Sequence, residues 1–252
     1  MINPIFERLV LLTGKEGLEK LSRAKVLVFG AGGVGSWAAE ALVRSGIGKI
    51  GIIDNDTVAA SNINRQIEAT SLTIGEQKAS ALKKRLLEIN PECQVTSWDE
   101  LFCLEKAGNF DINSADYVID AIDTINHKLD LIETAVNSGV TLFSSMGMAL
   151  RINPAFLKTA SIWKTNGCSL ARLVRQGLRK RNFSGDFTVV YSDEKSTLKS
   201  EQLTESSEQL EESKEQNFYK KRVNGSIVTV TAVAGFYLAS LVINDIIGKS
   251  NE

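Results

Sequence analysis

Three glycines directly follow a short apolar run, and their spacing is the most specific chemical signal in the sequence. Residues 26–29 read Val-Leu-Val-Phe, and a G-x-G-x-x-G pattern made by Gly30, Gly32 and Gly35 follows at once. In such a pattern the first glycine permits a tight turn, the second lets a phosphate approach the backbone, and the third lets a helix pack on the strand. The first N–H groups of that helix face anionic oxygens. The pattern therefore predicts a nucleotide-phosphate site.

A carboxylate follows at the position where a bound ribose needs one. The apolar run 49–53 ends on Asp54, and an acidic residue roughly 20 positions after the glycine pattern accepts hydrogen bonds from ribose hydroxyls. Nicotinamide, flavin and adenylate ligands are all held by units of this kind. The choice among them rests on residues further along the chain.

Two cations and a second carboxylate favour triphosphate chemistry. Arg65 and Lys78 follow Asp54, and a reaction that expels pyrophosphate needs positive groups beside the β- and γ-phosphates. Asp123 follows a predicted strand, at the sheet edge where open α/β sheets bind ligands, and is the candidate Mg²⁺ ligand. Taken singly, each of these side chains would be interpreted as a member of a surface ion pair.

The elements that must position these residues alternate between strands and helices. Strands are predicted at 26–29, 49–54, 94–98, 116–120 and 140–144, and helices at 36–45, 75–90 and 124–138. This alternation predicts an α/β fold with a Rossmann-like, doubly wound and mainly parallel sheet. Strands at 156–163 and 187–191 and a helix at 169–181 are predicted to form a C-terminal extension on the same domain.

The 252 residues are expected to form a single domain. Residues 1–24 are interpreted as an N-terminal helical arm, 25–153 as the nucleotide-binding core and 154–252 as a substrate-binding extension. Within that extension, residues 192–217 are rich in Glu, Ser, Gln and Lys and predict a flexible acidic surface loop. A partner-docking segment is the alternative interpretation of the same residues.

Residues 226–244 carry no charge and are long enough to raise the question of a membrane span. The β-branched, alternating residues 227–231 favour a strand, and the small residues from Ala232 onward favour a closely packed helix. We therefore expect a buried strand and helix here, and no membrane.

Composition narrows the class of protein. The formal net charge is −1 and 43% of residues are apolar, which argues against a basic body that binds nucleic acid over its whole surface. Cys93, Cys103 and Cys168 form no C-x-x-C pair, so neither a disulfide framework nor a four-cysteine zinc site is expected. Residues 1–8 lack the pattern of a secretory signal. These observations predict a cytoplasmic location.

Five motifs occur in the order typical of the adenylation family related to ubiquitin-activating enzymes, and the sequence resembles that family. The motifs are residues 30–36 (GAGGVGS), 53–56 (IDND), 61–66 (SNINRQ), 75–78 (GEQK) and 120–123 (DAID). The resemblance implies ATP and Mg²⁺ as cofactors, a carboxyl-adenylate intermediate, and a homodimer.

The same resemblance implies a role for each site residue. The implied nucleotide-binding residues are Gly30, Gly32, Gly33, Gly35, Asp54, Asn62, Arg65, Gln66 and Lys78. The implied catalytic residues are Arg8, Arg65, Lys78 and Asp123, with Asp123 as the Mg²⁺ ligand. Arg8 matches the family's N-terminal arginine, which reaches the γ-phosphate across a dimer interface.

The C-terminal half resembles the branch of this family that dehydrates threonylcarbamoyladenosine in tRNA. Residues 145–148 (SMGM) and 162–181 carry the resemblance, which implies modified tRNA as substrate and makes a sulfur-relay protein a candidate partner. Basic residues at helical spacing predict a stripe that contacts RNA phosphates, with a solvated helix face as the alternative. They are Arg172, Arg175, Arg179, Lys180 and Arg181.

Three other functions stay open at this point. Within the family, the chain could activate the C-terminus of a ubiquitin-like sulfur carrier, although the paired C-x-x-C ligands usual in that branch are absent. A nicotinamide oxidoreductase would explain only residues 30–54, and a non-catalytic RNA-binding module is the third alternative. Cys168 is interpreted as structural, and the lone histidine, His127, is assigned no catalytic role.

Overall fold

The computed structural model describes residues 3–195 and 225–248. Within them a seven-stranded sheet has the order β3-β2-β1-β4-β5-β7-β6. All neighbouring strands are parallel except β6 and β7, which are antiparallel. The strands are β1 (Lys25–Phe29), β2 (Lys49–Ile53), β3 (Gln94–Trp98), β4 (Tyr117–Asp120), β5 (Thr141–Ser145), β6 (Leu157–Ser161) and β7 (Thr188–Ser192).

Helices cover both faces of this sheet. They are α1 (Glu7–Arg23), α2 (Gly35–Arg44), α3 (Lys78–Ile89), α4 (Ile125–Asn137), α5 (Ser169–Lys180) and α6 (Val228–Ile247). Side chains alternate along β1, so Val26 and Val28 pack with α1, α2, α3 and α6, whereas Leu27 and Phe29 pack with α4 and α5. The arrangement confirms the doubly wound, mainly parallel sheet that the sequence predicts.

The predicted strands and helices up to residue 192 are found close to their expected positions. The clearest boundary difference is at α3, which begins at Lys78 and not at residue 75. Gly75 has a φ of 88°, and Thr57 forms an isolated bridge with Gln77. Because these residues are held in extended and turn conformations, the helix cannot begin before Lys78.

The predicted strand at 227–231 is wrong, because residues 228–231 form the first turn of α6. Ile227 is extended, and the helix runs from Val228 without interruption to Ile247, where Gly248 ends it with a φ of 71°. Val230, Ala234 and Leu238 are each fully buried and recur at helical spacing. The short β-branched alternation is therefore overridden by packing along the full length of the helix.

Helix α6 packs along α2 at very short range. A β-carbon on Gly235 would lie 2.5 Å from the carbonyl oxygen of Val34. Among the described residues, α6 is the one helix long and apolar enough to cross a membrane, and 44% of its most apolar stretch is buried in the protein. Residues 196–217 of the predicted acidic loop lie outside the described residues.

Candidate nucleotide-binding site

Gly30 and Gly35 are required by the protein's own backbone at the turn between β1 and α2. Gly30 has a φ of 93°, and a β-carbon on it would lie 2.7 Å from the carbonyl oxygen of Ala121. A β-carbon on Gly35 would lie 1.8 Å from the carbonyl oxygen of Gly30. Both glycines therefore permit close approach of the turn, the helix and the loop after β4.

Gly32 lies in a more open position than the other glycines of the turn. The nearest atom to a β-carbon built there is Nε2 of Gln66, at 3.7 Å. Gln66 is buried, and its Oε1 has no hydrogen-bond partner within the described residues. The backbone beside Gly32 is thus accessible to a ligand phosphate, with an amide side chain next to it.

Asp54 is fixed beside the glycine turn by two backbone hydrogen bonds. Its Oδ2 accepts from the N–H of Ala31 at 2.7 Å, and its Oδ1 accepts from the N–H of Asp56 at 2.8 Å. Burial raises the pKa of Asp54, while the bond from Asp56 and the charge of Lys78 lower it. A carboxylate oxygen accepts more than one hydrogen bond, so each retains capacity for a ribose hydroxyl.

The motif at 61–66 forms a loop that folds over the glycine turn. Asn62 is buried and its Oδ1 accepts from the N–H of Ala59 at 3.0 Å. Arg65 is half-buried, and its Nη1 donates to the carbonyl oxygen of Ser61 at 2.8 Å. The Cγ of Arg65 lies 3.3 Å from a β-carbon built on Gly33. The loop therefore carries the Arg65 side chain across the turn.

Lys78 places a nearly buried ammonium group at the start of α3. Its side chain is only 7% exposed, and Nζ lies 2.8 Å from Oδ2 of Asp56, whose side chain is 64% exposed. The charge of Lys78 also partly offsets the rise that burial causes in the pKa values of Asp54 and Glu68. Lys78 thus belongs to the same charged cluster as Asp54, as the motif order predicts.

Glu68 is a member of this cluster that the sequence reasoning missed. It is 2% exposed, and neither carboxylate oxygen has a hydrogen-bond partner within the described residues. Burial raises its pKa to about 7, and the charge of Lys78 only partly offsets this rise. The only signal for it in the sequence is an acidic residue between Ile67 and Ala69, which is weak.

Asp123 lies in the loop after β4, which contacts the glycine turn through Ala121. Its side chain is exposed, and Oδ1 accepts from the hydroxyl of Thr124 at 3.3 Å. The described residues contain no cluster of three or more metal-binding side chains. The exposed carboxylate of Asp123 fits Mg²⁺, which is usually bound through one or two carboxylates together with substrate phosphates.

The residues on either side of Arg8 pack at the end of α2 that is opposite the glycine turn. Phe6 and Leu9 flank Arg8 and lie beside Gly46, directly after the C-terminal end of α2, whereas the glycine turn is at the N-terminal end. A ten-residue helix spans about 15 Å. The fold of one chain therefore does not gather Arg8 with the other predicted site residues.

The five basic residues of α5 and its end have different surroundings. Arg172, Arg179 and Lys180 are exposed, and the guanidinium of Arg179 lies 5.6 Å from the ring centre of Trp163. The other two are engaged within the protein. Arg175 donates to the hydroxyl of Thr165, and Arg181 donates to Asp130 at 2.7 Å and Glu133 at 2.6 Å.

The exposed part of the stripe begins near the nucleotide-binding edge of the sheet. Gly147 follows β5 at that edge, and a β-carbon on it would lie 3.4 Å from Cβ of Leu170, at the start of α5. Arg172 is thus near the edge, and Arg179 is about 10 Å further along the helix axis. Cys168 is buried, which agrees with its structural interpretation.

The fold and the site define a Rossmann-like nucleotide-binding protein, because a glycine turn opens α2 and a ribose-type carboxylate follows β2. The chain belongs to the ThiF family, whose model matches residues 6–252. This membership confirms the family that the five motifs predict.

Several members of this family are similar to the chain over much of its length. The tRNA threonylcarbamoyladenosine dehydratase of Bacillus subtilis is 41% identical over 198 residues, 79% of this chain and 78% of the relative. That of Haemophilus influenzae is 34% identical over 237 residues, 94% of this chain and 90% of the relative. The UBA4 adenylyltransferase and sulfurtransferase of Vanderwaltozyma polyspora is 39% identical over 137 residues, 54% of this chain and 31% of the relative.

A solved structure covers almost the whole chain. The crystal structure of Escherichia coli tRNA N6-threonylcarbamoyladenosine dehydratase, TcdA, in complex with AMP has a TM-score of 0.83 and 29% sequence identity. It covers 99% of this chain and 98% of that chain. The complex of TcdA with ATP has a TM-score of 0.81 and 31% identity.

Proposed function

We propose that this protein is an ATP-dependent enzyme that dehydrates N6-threonylcarbamoyladenosine in tRNA through a carboxyl-adenylate intermediate. The observation that carries the proposal is the extent of similarity. Proteins with the dehydratase name match up to 94% of the chain, whereas the UBA4 adenylyltransferase and sulfurtransferase matches 54%. The TcdA structures contain AMP and ATP, which are the nucleotides this chemistry needs.

The proposed reaction has two steps. The threonyl carboxylate of the nucleoside attacks the α-phosphorus of ATP, and pyrophosphate leaves. The ureido group of the same nucleoside then attacks the activated carbonyl and closes a ring, and AMP leaves. The net change in the nucleoside is the loss of one water. Because nucleophile and carbonyl are already in one molecule, proximity replaces a covalent enzyme intermediate, and no catalytic cysteine is needed.

The residues around the glycine turn supply the groups that the first step requires. Arg65 and Lys78 neutralise the negative charge that accumulates as pyrophosphate departs, and the backbone of the glycine turn binds the phosphates. Asp54 holds the ribose, and buried Asn62 and Gln66 line the triphosphate. When bound to the triphosphate, Mg²⁺ supplies further charge neutralisation, and Asp123 is the residue that would hold it.

A homodimer would complete this site. The neighbours of Arg8 pack at the opposite end of α2 from the glycine turn, so a second copy of the chain is the proposed source of the arginine at the γ-phosphate. Leu11 and Leu12 of α1 are 85% and 76% exposed, and Phe236 of α6 is 46% exposed. Adjacent exposed apolar side chains such as Leu11 and Leu12 favour a protein contact.

The remaining partners and the location are also proposals. Arg172, Arg179 and Lys180 are the proposed tRNA phosphate contacts, since they are exposed cations on one helix. Arg175 and Arg181 are secondary candidates because both already have partners in the protein. A sulfur-relay protein is a candidate partner. We place the reaction in the cytoplasm, without a membrane.

The test measures AMP release from ATP with tRNA that carries threonylcarbamoyladenosine, with unmodified tRNA and without tRNA. We expect AMP only with the modified tRNA, together with a digested nucleoside lighter by one water. Asp123→Asn should abolish the reaction, whereas the matched change Glu88→Gln, on the exposed side of α3, should leave it intact. Silence with modified tRNA, together with pyrophosphate exchange dependent on a sulfur-carrier protein, would establish the alternative function.

A further inference from the structure

Lys128 is a completely buried lysine beneath the loop that carries Asp123. The side chains of Lys128 and Asp120 are both 0% exposed, and Nζ of Lys128 lies 2.8 Å from Oδ2 of Asp120. The same ammonium donates to the carbonyl oxygen of Ile122 at 2.9 Å. Lys128 therefore holds both the end of β4 and the residue immediately before Asp123.

Asp120 extends this network to β5 and to the backbone of the same loop. Its Oδ2 also accepts from the hydroxyl of Ser144 at 2.6 Å, and its Oδ1 accepts from the N–H of Ile122 at 3.0 Å. Both backbone polar groups of Ile122 are thus bound by the ion pair. A residue held at its N–H and its carbonyl leaves Asp123 few backbone conformations.

The loop is also held against the glycine turn. The N–H of Ala121 donates to the carbonyl oxygen of Phe29 at 2.8 Å, and a β-carbon on Gly30 would lie 2.7 Å from the carbonyl oxygen of Ala121. Any shift of the β4 loop therefore moves Asp123 relative to the surface where phosphates approach. The ion pair of Lys128 and Asp120 therefore determines where Asp123 lies relative to the glycine turn.

Stability alone is a poor reason for such an ion pair. Removing two charges from water costs several kcal/mol per ion, and apolar residues of similar volume at such sites are often neutral or stabilising. A buried pair does fix a unique geometry, since both partners must satisfy their hydrogen bonds in one arrangement. Because the pair lies directly under the loop that carries Asp123, its fixed geometry also fixes the position of Asp123.

We propose that Lys128 is a positioning residue for adenylation: through Asp120 and Ile122 it fixes Asp123 so that the divalent cation of the bound triphosphate is held against the glycine turn. This inference rests on the proposed function, in which Asp123 holds the cation. Lys128 itself does not contact the nucleotide. Its effect is on how strongly the cation improves ATP binding.

The test compares three forms of the protein by calorimetry, with ATP alone and with ATP plus Mg²⁺. Lys128→Met leaves Asp120 buried without a counter-charge, so it should lower the melting temperature sharply. The double variant Asp120→Asn, Lys128→Met removes both charges and should melt close to the unaltered protein. In that folded double variant we expect ATP alone to bind as before, and the improvement caused by Mg²⁺ to fall by about 10- to 100-fold.

A second variant decides the matter if the double variant does not fold. Ser144→Ala removes one hydrogen bond to Asp120 and keeps both charges, and we expect it to reduce the Mg²⁺ effect by about two- to fivefold with a nearly unchanged melting temperature. The inference is overturned if the folded double variant keeps the full Mg²⁺ effect. If the double variant does not fold, a full Mg²⁺ effect in Ser144→Ala overturns it. Either result would show that the pair is only structural. Nucleotide binding needs no tRNA, so a protein with the expected Mg²⁺ pattern but no action on modified tRNA would contradict only the proposed function.

Discussion

Gly35 lies so close to Gly30 that a β-carbon on Gly35 would be 1.8 Å from the carbonyl oxygen of Gly30. Gly35→Ala must therefore displace either the turn or the first residues of α2. We expect a loss of about 1–3 kcal/mol in the free energy of unfolding and a loss of about tenfold or more in ATP affinity. Urea denaturation and calorimetric titration with ATP measure the two effects.

Two other glycines serve as controls for this change. A β-carbon on Gly32 would meet no atom closer than 3.7 Å, and one on Gly108 would meet none within 4 Å. Gly32→Ala should keep the stability of the protein and still weaken ATP binding, because its methyl group would lie where a phosphate approaches. Gly108→Ala should alter neither quantity. Normal ATP binding by Gly35→Ala would contradict the assigned turn.

In the proposed site, the ion pair between Lys78 and Asp56 would compete with the phosphates for the ammonium group. Asp56→Asn removes the anion 2.8 Å from Nζ of Lys78, so we expect ATP to bind about two- to fivefold more tightly at low salt, where charge interactions are least screened. Lys78→Met should weaken binding by about tenfold or more. Weaker binding by Asp56→Asn would mean that Asp56 itself contributes to the ligand site.

Glu68 should make the stability of the protein depend on pH in a defined direction. Burial raises its pKa from 4.5 to about 7, so the folded protein binds this proton more tightly than the unfolded chain does. The stabilising contribution is complete below pH 4.5 and is lost as the pH rises through about 7. A neutral side chain at position 68 does not ionise, so it does not lose this stability as the pH rises.

Glu68→Gln should therefore be more stable than the unaltered protein in alkaline solution. From the shift in pKa we expect an advantage in the free energy of unfolding that is about 2 kcal/mol larger near pH 8.5 than near pH 5.5. Urea denaturation at the two pH values measures it, with the exposed Glu88→Gln as the control. An advantage that is equal at both pH values would show that Glu68 is ionised throughout.

Arg172 and Arg181 should behave differently although both belong to the basic stripe. Arg172 is exposed near the nucleotide-binding edge, whereas Arg181 donates to Asp130 and Glu133. Arg172→Gln should weaken tRNA binding and reduce the slope of log affinity against log salt by about one. Arg181→Gln should change tRNA affinity by less than about twofold and cost about 1 kcal/mol or less of stability.

Filter binding at several salt concentrations measures this difference, with thermal unfolding as the check on folding. Equal losses of affinity for the two variants would show that Arg181 leaves its carboxylate partners when RNA binds. The stripe would then act as a single surface, as the spacing in the sequence predicts.

Local pattern was enough to predict most of the fold. The apolar runs and glycine stops that mark β1, α2 and β2 are set by interactions within a few residues, and the structure confirms them. Helix α6 shows where this reasoning fails. Five β-branched, alternating residues favour a strand locally, but their conformation is decided by packing against α2, which is far away in the sequence.

The candidate site also contains residues that the sequence predicts and residues that it does not. The motif order and the family resemblance predict one site for Asp54, Arg65 and Lys78, and in the structure Asp54 and Lys78 lie in the same charged cluster. Lys128 and Glu68 could not be predicted, since a charged residue near apolar ones is ordinarily exposed, and only the assembled sheet and loops bury these two. The partners of Arg181 lie about fifty positions earlier, so no local pattern indicates that this cation is already paired.

The contact between α6 and the glycine turn can form only late in synthesis of the chain. Asn64 donates to the carbonyl oxygen of Ser226 at 2.8 Å, and Thr231 lies 3.3 Å from a β-carbon built on Gly33. A growing chain carries the whole glycine turn long before the ribosome has added α6. Until α6 docks, the side of α2 that packs on it stays uncovered, so a nascent chain has its nucleotide-binding motifs without the helix that packs against them. Chaperone contact during synthesis is expected on that face.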